Sequence, residues 1–160
     1  EGIVALQSVP SVGAVSQERV DGFYSVANEY PGITVIEFAT EGYQQEQGLK
    51  AAADLLTANP DVVAIFGGND PTALGAYAAA DAAGVTPLIY GVDGSPDVKA
   101  LLKDTMIEGT GAQSPITIGK TIAETAYKWL DGEEVEEFIP IETFLVTADN
   151  VDDYGTDGWQ

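Results

Sequence analysis

Three polar side chains follow three successive apolar runs of the chain, at places where they could bind a small molecule. Asn69 comes after the third run, Asp93 ends the fourth and Gln113 follows the fifth. An ionised Asp only accepts hydrogen bonds, whereas Asn and Gln both donate and accept them. Neighbouring hydroxyl groups need such a mixture, so the three residues together would suit one sugar ring or a similar small polyol, and by themselves they predict an edge that can bind a polar ligand.

An aromatic side chain, Tyr43, lies in the loop after the second apolar run and could present an apolar face to the C–H groups of such a ring. A structural interpretation stays open for each of these residues, because Asn and Asp after strands often form turns or cap helices, and a loop Tyr often packs. Asp70, Ser95 and Ser114 are assigned to helix capping, since each precedes a proline that suits the first helical turn.

The apolar runs are the strands that must position these side chains. Strands are predicted at residues 3–6, 33–38, 62–66, 87–92, 108–112 and 138–146, with helices between them. This alternation predicts an α/β fold, a doubly wound parallel sheet of the flavodoxin-like, three-layer kind. In the strand order 2-1-3-4-5 the carboxyl ends share one edge, and at about 4.8 Å per strand Asn69, Asp93 and Gln113 span roughly 10 Å.

Composition and charge exclude several classes of function. The 160 residues suffice for one domain with a buried core. The formal charge of −20, from 26 acidic and 6 basic residues, argues against nucleic-acid partners and against docking on an anionic membrane surface. Without Cys or His, the chain has no disulfide, thiol nucleophile, Ser-His-Asp triad or common zinc site, and the phosphate-loop motif is absent. The sequence therefore predicts a protein that uses no metal or cofactor and is not an enzyme.

Six short motifs follow one another in order over nearly the whole chain. They lie at residues 18–23, 54–62, 68–75, 91–96, 112–115 and 145–151. Together they resemble the periplasmic sugar-binding proteins of the ribose-binding type, whose fold is also that of the ligand domains of LacI-type repressors. The resemblance implies the solute-binding component of an ABC transporter, which binds a monosaccharide and does no chemistry on it. The alternatives are an effector-binding domain of a LacI-type sugar-responsive regulator and, third, an enzyme on the same scaffold.

The resemblance also implies roles for individual residues. Asn69, Asp93 and Gln113 fall at the positions that hydrogen-bond the sugar, and Tyr43 takes the place of an aromatic residue that closes over the ring. Gln17 falls where ribose binders carry an arginine that clamps hydroxyl groups with its fork of donors. This departure argues against ribose itself as the ligand.

Members of the family have two lobes, and 160 residues are too few for both. The resemblance implies that residues 1–114 form the carboxy-terminal ligand-binding lobe. Residues 115–143 are expected to belong to the missing amino-terminal lobe, and residues 144–160 to return as a strand and an acidic tail. The start at Glu1 rather than Met suggests a processed protein or a fragment. We expect an exported protein, either periplasmic or anchored outside the membrane as a lipoprotein.

An apolar stripe at helical spacing lies in the segment assigned to the other lobe. It consists of Ile118, Ile122, Ala126 and Trp129. Without the missing lobe the stripe is expected either to dock on this lobe or to be covered by a second chain. The expected partners are therefore a small sugar, an ABC transporter permease, and either the missing amino-terminal lobe or a second chain that covers this stripe. Nucleic acid is not an expected partner.

Overall fold

Six strands and six helices make up the part of the chain that the structure, a computed structural model, describes: residues 1–159. The strands are β1 (Gly2–Ser8), β2 (Ile33–Ala39), β3 (Val62–Gly67), β4 (Leu88–Asp93), β5 (Ile107–Ala112) and β6 (Phe144–Thr147). The helices are α1 (Ala14–Ala27), α2 (Gln45–Ala58), α3 (Asp70–Ala83), α4 (Pro96–Lys99), α5 (Pro115–Leu130) and α6 (Val151–Tyr154), and a 3-10 turn, Pro10–Val12, precedes α1.

The strands form one sheet in the order β2-β1-β3-β4-β5-β6. The first five run parallel, which confirms the doubly wound sheet predicted from the alternation of strands and helices. The apolar run at residues 138–146 predicted too long a last strand, because β6 begins at Phe144, where the resemblance implied that the chain returns, and it runs antiparallel to β5. The chain enters β6 at the carboxyl edge of β5, where Phe144 pairs with Ala112, so β6 runs back across the sheet.

Helices cover both faces of the central strands, as the three-layer prediction requires. Successive residues of a strand point to opposite faces of the sheet. On one face, Ile65 of β3 is fully buried in a core that includes the alanines of α3. On the other face, Phe66 packs against Phe23 of α1, with the ring centroids 5.3 Å apart. The burial of these apolar side chains fixes the strand ends that carry the expected site.

Two helices on one face approach each other unusually closely. A Cβ atom on Gly48 of α2 would lie 2.6 Å from the Cα of Thr72, and one on Gly75 of α3 would meet the backbone of Gln45 and Leu49. Only glycine leaves room for this crossing. Because only Gly68 and Asn69 separate the end of β3 from the start of α3, the crossing also sets the position of the first residues of α3 at the edge of the sheet.

Residues 115–143, called the arm below, contain no buried residue. Ile122 and Trp129 of α5 are 64% and 67% exposed. Of the two outcomes expected for the apolar stripe, docking on this lobe is therefore not the one that the structure shows. The stripe and the segment after α5, which includes Ile139, instead line an open groove of about 490 Å³. Among residues 1–159, no helix has both the length and the apolar character needed to cross a membrane.

Candidate functional site

Two of the expected ligand residues, Asp93 and Gln113, meet at the carboxyl edge of β4 and β5. Asp93 pairs with Ala112 across the two strands, so the next residue of the chain, Gln113, lies directly beside it. The Gln113 backbone N–H donates to the Asp93 carbonyl oxygen at 3.1 Å, and its side-chain Nε2 donates to Asp93 Oδ1 at 2.9 Å. The parallel register thus brings the two side chains together at the edge where the sequence placed them.

A third side chain, Arg19 of α1, belongs to the same group and was not predicted from the sequence. Its Nη2 lies 2.8 Å from Asp93 Oδ1, and its Nη1 donates to the Gly68 carbonyl oxygen at 2.7 Å. The Arg19 and Asp93 side chains are only 17% and 21% exposed, so salt screens this ion pair less than a surface pair. Arg19 is the only arginine in a chain with 26 acidic residues, which is the sequence signal that could have marked it. We call these three residues the Arg19–Asp93–Gln113 cluster.

The backbone of Asp93 is strained. Its φ of +139° lies in a region that residues with a side chain rarely adopt, and no other non-glycine residue in the described part of the chain has a positive φ. Such strain costs about 1–3 kcal/mol and persists only where the surroundings fix it. Oδ1 accepts hydrogen bonds from both Arg19 and Gln113, while the Asp70 N–H reaches Oδ2 only at 3.5 Å. Oδ2 therefore keeps the capacity to accept a hydrogen bond from a ligand.

Asn69 lies just before α3, and its side chain already has two protein partners. Its Oδ1 accepts a hydrogen bond from the Thr72 N–H at 3.0 Å, and its Nδ2 donates to the Tyr43 carbonyl oxygen at 3.0 Å. The structure thus brings Asn69 and Tyr43 together through the Tyr43 backbone, while the Tyr43 side chain stays half exposed. A ligand hydroxyl that accepts from Nδ2 must compete with the Tyr43 carbonyl.

Asp70 is not the helix cap that the sequence predicted. Asn69 caps α3 instead, because its extended backbone (φ −154°) places its side-chain oxygen over the first turn. Asp70 is fully buried and accepts hydrogen bonds from Thr110 Oγ1 at 2.7 Å and from the Ser95 N–H at 2.6 Å. Burial raises the pKa of Asp70 above its ordinary value, and these hydrogen bonds partly oppose the rise. Asp70 ties the loop that follows Asp93 to β5.

The two predicted serine caps differ from each other. Ser95 Oγ accepts a hydrogen bond from the Val98 N–H at 3.3 Å, which confirms it as the cap of α4. Ser114 occupies the capping position of α5, but its side chain makes no capping hydrogen bond there.

Gln17 lies on the exposed side of α1, apart from the cluster. Residues two apart on a helix do not face the same way, so a helix that turns Arg19 toward Asp93 turns Gln17 away from it. The Gln17 amide Nε2 donates to Asp21 Oδ1 at 2.8 Å, one helical turn further along α1.

Gln113 lines two open cavities. One, of about 490 Å³, is lined by Arg19, Val92 and Phe144 among others. The other, of about 520 Å³, is lined by Asp93, Gln113, Pro115, Ile116, Ile118 and Trp159. Both sizes are typical of small-molecule sites, which measure about 300–1,000 Å³. In residues 1–159 no group of three or more acidic side chains is placed to hold a metal ion.

Comparison with known proteins gives the family of the chain. The family model described as the periplasmic binding protein domain matches residues 2–134. The chain is 34% identical over 137 residues to the ribose import binding protein of Bacillus subtilis, and 35% identical over 145 residues to that of Escherichia coli K12. These matches cover 86% and 90% of this chain but 44% and 48% of the relatives. The chain therefore spans about half the length of these relatives.

Solved structures share the fold. An ABC transporter periplasmic solute binding protein from Actinobacillus succinogenes with bound D-allose aligns with a TM-score of 0.92 at 27% identity, over 96% of this chain and 56% of that chain. An ABC transporter solute binding protein from Bacillus halodurans with bound myo-inositol aligns with a TM-score of 0.87 at 27% identity, over 96% of this chain and 54% of that chain. These matches confirm the resemblance carried by the six motifs, and the chain belongs to the periplasmic binding protein domain family.

Proposed function

We propose that the protein is the solute-binding component of an ABC transporter and binds a monosaccharide or a similar small polyol between two lobes, without chemical reaction of the ligand. The observation that carries the proposal is the Arg19–Asp93–Gln113 cluster. It holds a carboxylate with one available oxygen beside an amide, at the sheet edge where α/β folds bind ligands. The ribose import proteins among the relatives, and the structures that hold D-allose and myo-inositol, support this class of ligand.

Each expected site residue has a role in this proposal. Asp93 Oδ2 accepts a hydrogen bond from one ligand hydroxyl, and Gln113 and Asn69 each bring an amide to the same edge. The half-exposed Tyr43 ring closes over the C–H face of the ligand. Gln17 contributes only if its amide leaves its present partner on α1.

This chain supplies the carboxy-terminal lobe in our proposal. Residues 1–114 and 144–160 form that lobe, and residues 115–143 pack against the amino-terminal lobe. The absence of any buried residue from the arm supports this division, because the described residues on both sides of the arm contribute to the core. Ile118, Ile122 and Trp129 are then covered by that lobe or by a second chain.

The binding mechanism follows from the two lobes. A hinge motion closes the lobes on the sugar, which removes the ligand from water and presents a closed form to the permease of the transporter. The cluster is formed by one lobe, so a single lobe provides only part of the contacts and binds weakly. Closure therefore supplies much of the affinity, and the permease recognises the closed form that holds the sugar.

A protein with this role acts outside the cytoplasmic membrane. We therefore propose that it is exported, and that it is either periplasmic or held at the outer side of the membrane as a lipoprotein. The alternative of a LacI-type regulator is not favoured, because the relatives named above are import proteins. Nucleic acid is not a partner in this proposal, since a net charge of −20 repels phosphate.

Calorimetry on the full-length protein with D-ribose, D-allose and myo-inositol tests the proposal. We expect at least one of these ligands to bind, and we expect Asp93→Asn to weaken that binding on the order of 10- to 100-fold, because a charged hydrogen-bond acceptor is lost. Asp54→Asn, which changes an exposed carboxylate of α2, is the matched control and should bind like the wild type. Failure of the whole panel to bind, or equal affinities in Asp93→Asn and the wild type, would contradict the proposal.

A further inference from the structure

The C-terminal tail, residues 155–159, brings an aromatic side chain to the candidate site. Trp159 lines the 520 Å³ cavity together with Asp93 and Gln113. Tyr43, the aromatic residue predicted for the site, is not among the residues that line this cavity. The cavity therefore has a hydrogen-bonding wall from the ends of β4 and β5 and an indole wall from the tail.

Lys99 of α4 holds the tail in this position. Its Nζ donates to the Gly158 carbonyl oxygen at 2.6 Å, and the residue is only 1% exposed. Burial lowers the pKa of Lys99, an effect that the nearby Asp157 carboxylate opposes. Helix α4 begins three residues after Asp93, so the carboxylate of the site and the anchor of the tail are carried by one short segment of chain.

We propose that Trp159 is a ligand-contacting residue, against whose indole ring the sugar packs with the C–H face opposite the one that Tyr43 covers, while Asp93 and Gln113 bind its hydroxyl groups. This inference rests on the proposed function. A sugar ring carries hydroxyl groups at its edge and C–H groups on its faces, so a polar wall and an aromatic wall in one cavity match both surfaces. An indole ring supplies a large and rigid apolar surface. Trp159 is 45% exposed, which leaves indole surface for a ligand to cover.

The competing explanation is that Trp159 only covers the base of the arm. Pro115, Ile116 and Ile118 line the same cavity and could be its sole packing partners. In that case a sugar leaves the surroundings of the indole ring unchanged. The two explanations differ in how Trp159 responds to ligand, and this response can be measured separately from stability.

Fluorescence and calorimetry on the full-length protein, with the tightest-binding sugar of the panel above, provide the test. This chain has two tryptophans, so the difference between Trp129→Phe and the double variant Trp129→Phe/Trp159→Phe isolates the emission of Trp159. We expect the sugar to shift that emission and to protect it from quenching by acrylamide. We expect about tenfold weaker binding in Trp159→Ala and about twofold weaker binding in Trp159→Phe, which keeps an aromatic ring. Trp129→Phe, in the arm, should bind like the wild type.

A variant of the anchor gives an independent measurement. Lys99→Met removes the ammonium group that holds Gly158, and we expect weaker binding because the tail is released. If Trp159→Ala fails to fold, the emission change and the Trp159→Phe affinity still decide the question. Sugar binding by the wild type, with Trp159→Ala within about twofold of it and no change in Trp159 emission, would overturn the inference and leave the proposed function standing. No binding of any panel sugar to the wild type would overturn both.

Discussion

The backbone of Asp93 is held in a conformation that a side chain disfavours, and the contacts that hold it are those of the candidate site. Its φ is +139°, and its carboxylate accepts hydrogen bonds from Arg19 and Gln113. Strain of this kind is concentrated at binding and catalytic sites, where the surroundings outweigh its cost. In this protein the strained backbone sets the direction of the Asp93 carboxylate. Its Oδ1 faces the donors of Arg19 and Gln113, and its Oδ2 remains available to a ligand.

The strain at Asp93 predicts that glycine is more stable than alanine at this position, which is the reverse of the usual order. Asp93→Gly and Asp93→Ala both lose the ion pair with Arg19, but only glycine adopts the positive φ without strain. We expect Asp93→Gly to exceed Asp93→Ala in free energy of unfolding by about 1–2 kcal/mol, measured by urea denaturation. At Asp54, an exposed position inside α2, the order should be reversed, with glycine less stable than alanine by about 1 kcal/mol. The same order at both positions would show that Asp93 is not strained.

Asp70 predicts a dependence of stability on pH. Because burial raises its pKa in the folded state, the folded protein binds a proton at Asp70 more tightly than the unfolded chain does. The contribution of Asp70 to stability is therefore fully present below its ordinary pKa of 3.8 and is lost as the pH rises through the raised pKa. We expect the free energy of unfolding of the wild type, minus that of Asp70→Asn, to fall as the pH rises above about 4 and through the raised pKa of Asp70, measured by urea denaturation.

Thr110→Val tests the cause of this pH dependence. The Thr110 hydroxyl donates to Asp70 and opposes the rise in its pKa, so its removal should move the decline to higher pH. Valine is close to threonine in shape, but it also removes the acceptor of the Gly94 N–H, which bonds to Thr110 Oγ1 at 3.0 Å, so the readout is the pH of the decline and not the stability itself. A difference between wild type and Asp70→Asn that stays constant with pH would contradict the explanation.

Part of the candidate site was predictable from the sequence because strand ends can be recognised without tertiary information. The apolar runs before Asp93 and Gln113 place both residues at one edge of a parallel sheet, and the structure brings them together there. Arg19 was missed because its role depends on which side of α1 faces the sheet. Asp70 was taken for the cap of α3 in place of Asn69, since capping depends on the backbone conformation at the end of β3. Asn69 and Asp70 are neighbours in the chain, yet the first caps α3 and the second is a buried carboxylate.

Among the helices, the crossing of α2 and α3 predicts opposite effects for two glycine substitutions. A Cβ on Gly75 meets the backbone of Gln45 and Leu49, which cannot move without displacing α2. We expect Gly75→Ala to lower the free energy of unfolding by about 1–3 kcal/mol. A Cβ on Gly22 of α1 would have no heavy atom of another element within 4 Å, so Gly22→Ala should raise the free energy of unfolding by about 0.5–1 kcal/mol. Denaturation midpoints that move in the same direction would contradict the packing argument.

The elements of the sheet were predictable to different degrees. The five parallel strands follow from apolar runs and alternating helices, both of which are local features of the sequence. The antiparallel direction of β6 was not, because it depends on how the chain returns after the arm, and its start at Phe144 was implied by the resemblance and not by the apolar run. The apolar character of Phe138 and Ile139 suggested a strand, but these residues lie in the exposed arm without a strand partner.

The whole molecule combines a strong negative charge with one unpartnered apolar region. A charge of −20 opposes the approach of a second copy, and salt reduces this repulsion. The arm opposes that effect, because its groove exposes Ile122 and Trp129 and contains Ile118. Apolar patches of this kind usually mark an interaction surface. The balance between charge repulsion and apolar attraction at the groove decides whether residues 1–160 remain monomeric when nothing else covers the arm.

We expect a protein that consists of residues 1–160 alone to self-associate through the arm as salt increases. Between about 0.1 M and 1 M NaCl the Debye length falls from about 10 Å to 3 Å, which removes most of the repulsion. Sedimentation velocity should show growing association for the wild type and none for Ile122→Gln/Trp129→Gln. The control Val26→Gln/Tyr30→Gln changes two similarly exposed side chains outside the arm and should associate like the wild type. A wild type that stays monomeric at high salt, or an arm variant that associates like the control, would show that the groove does not bind a second copy.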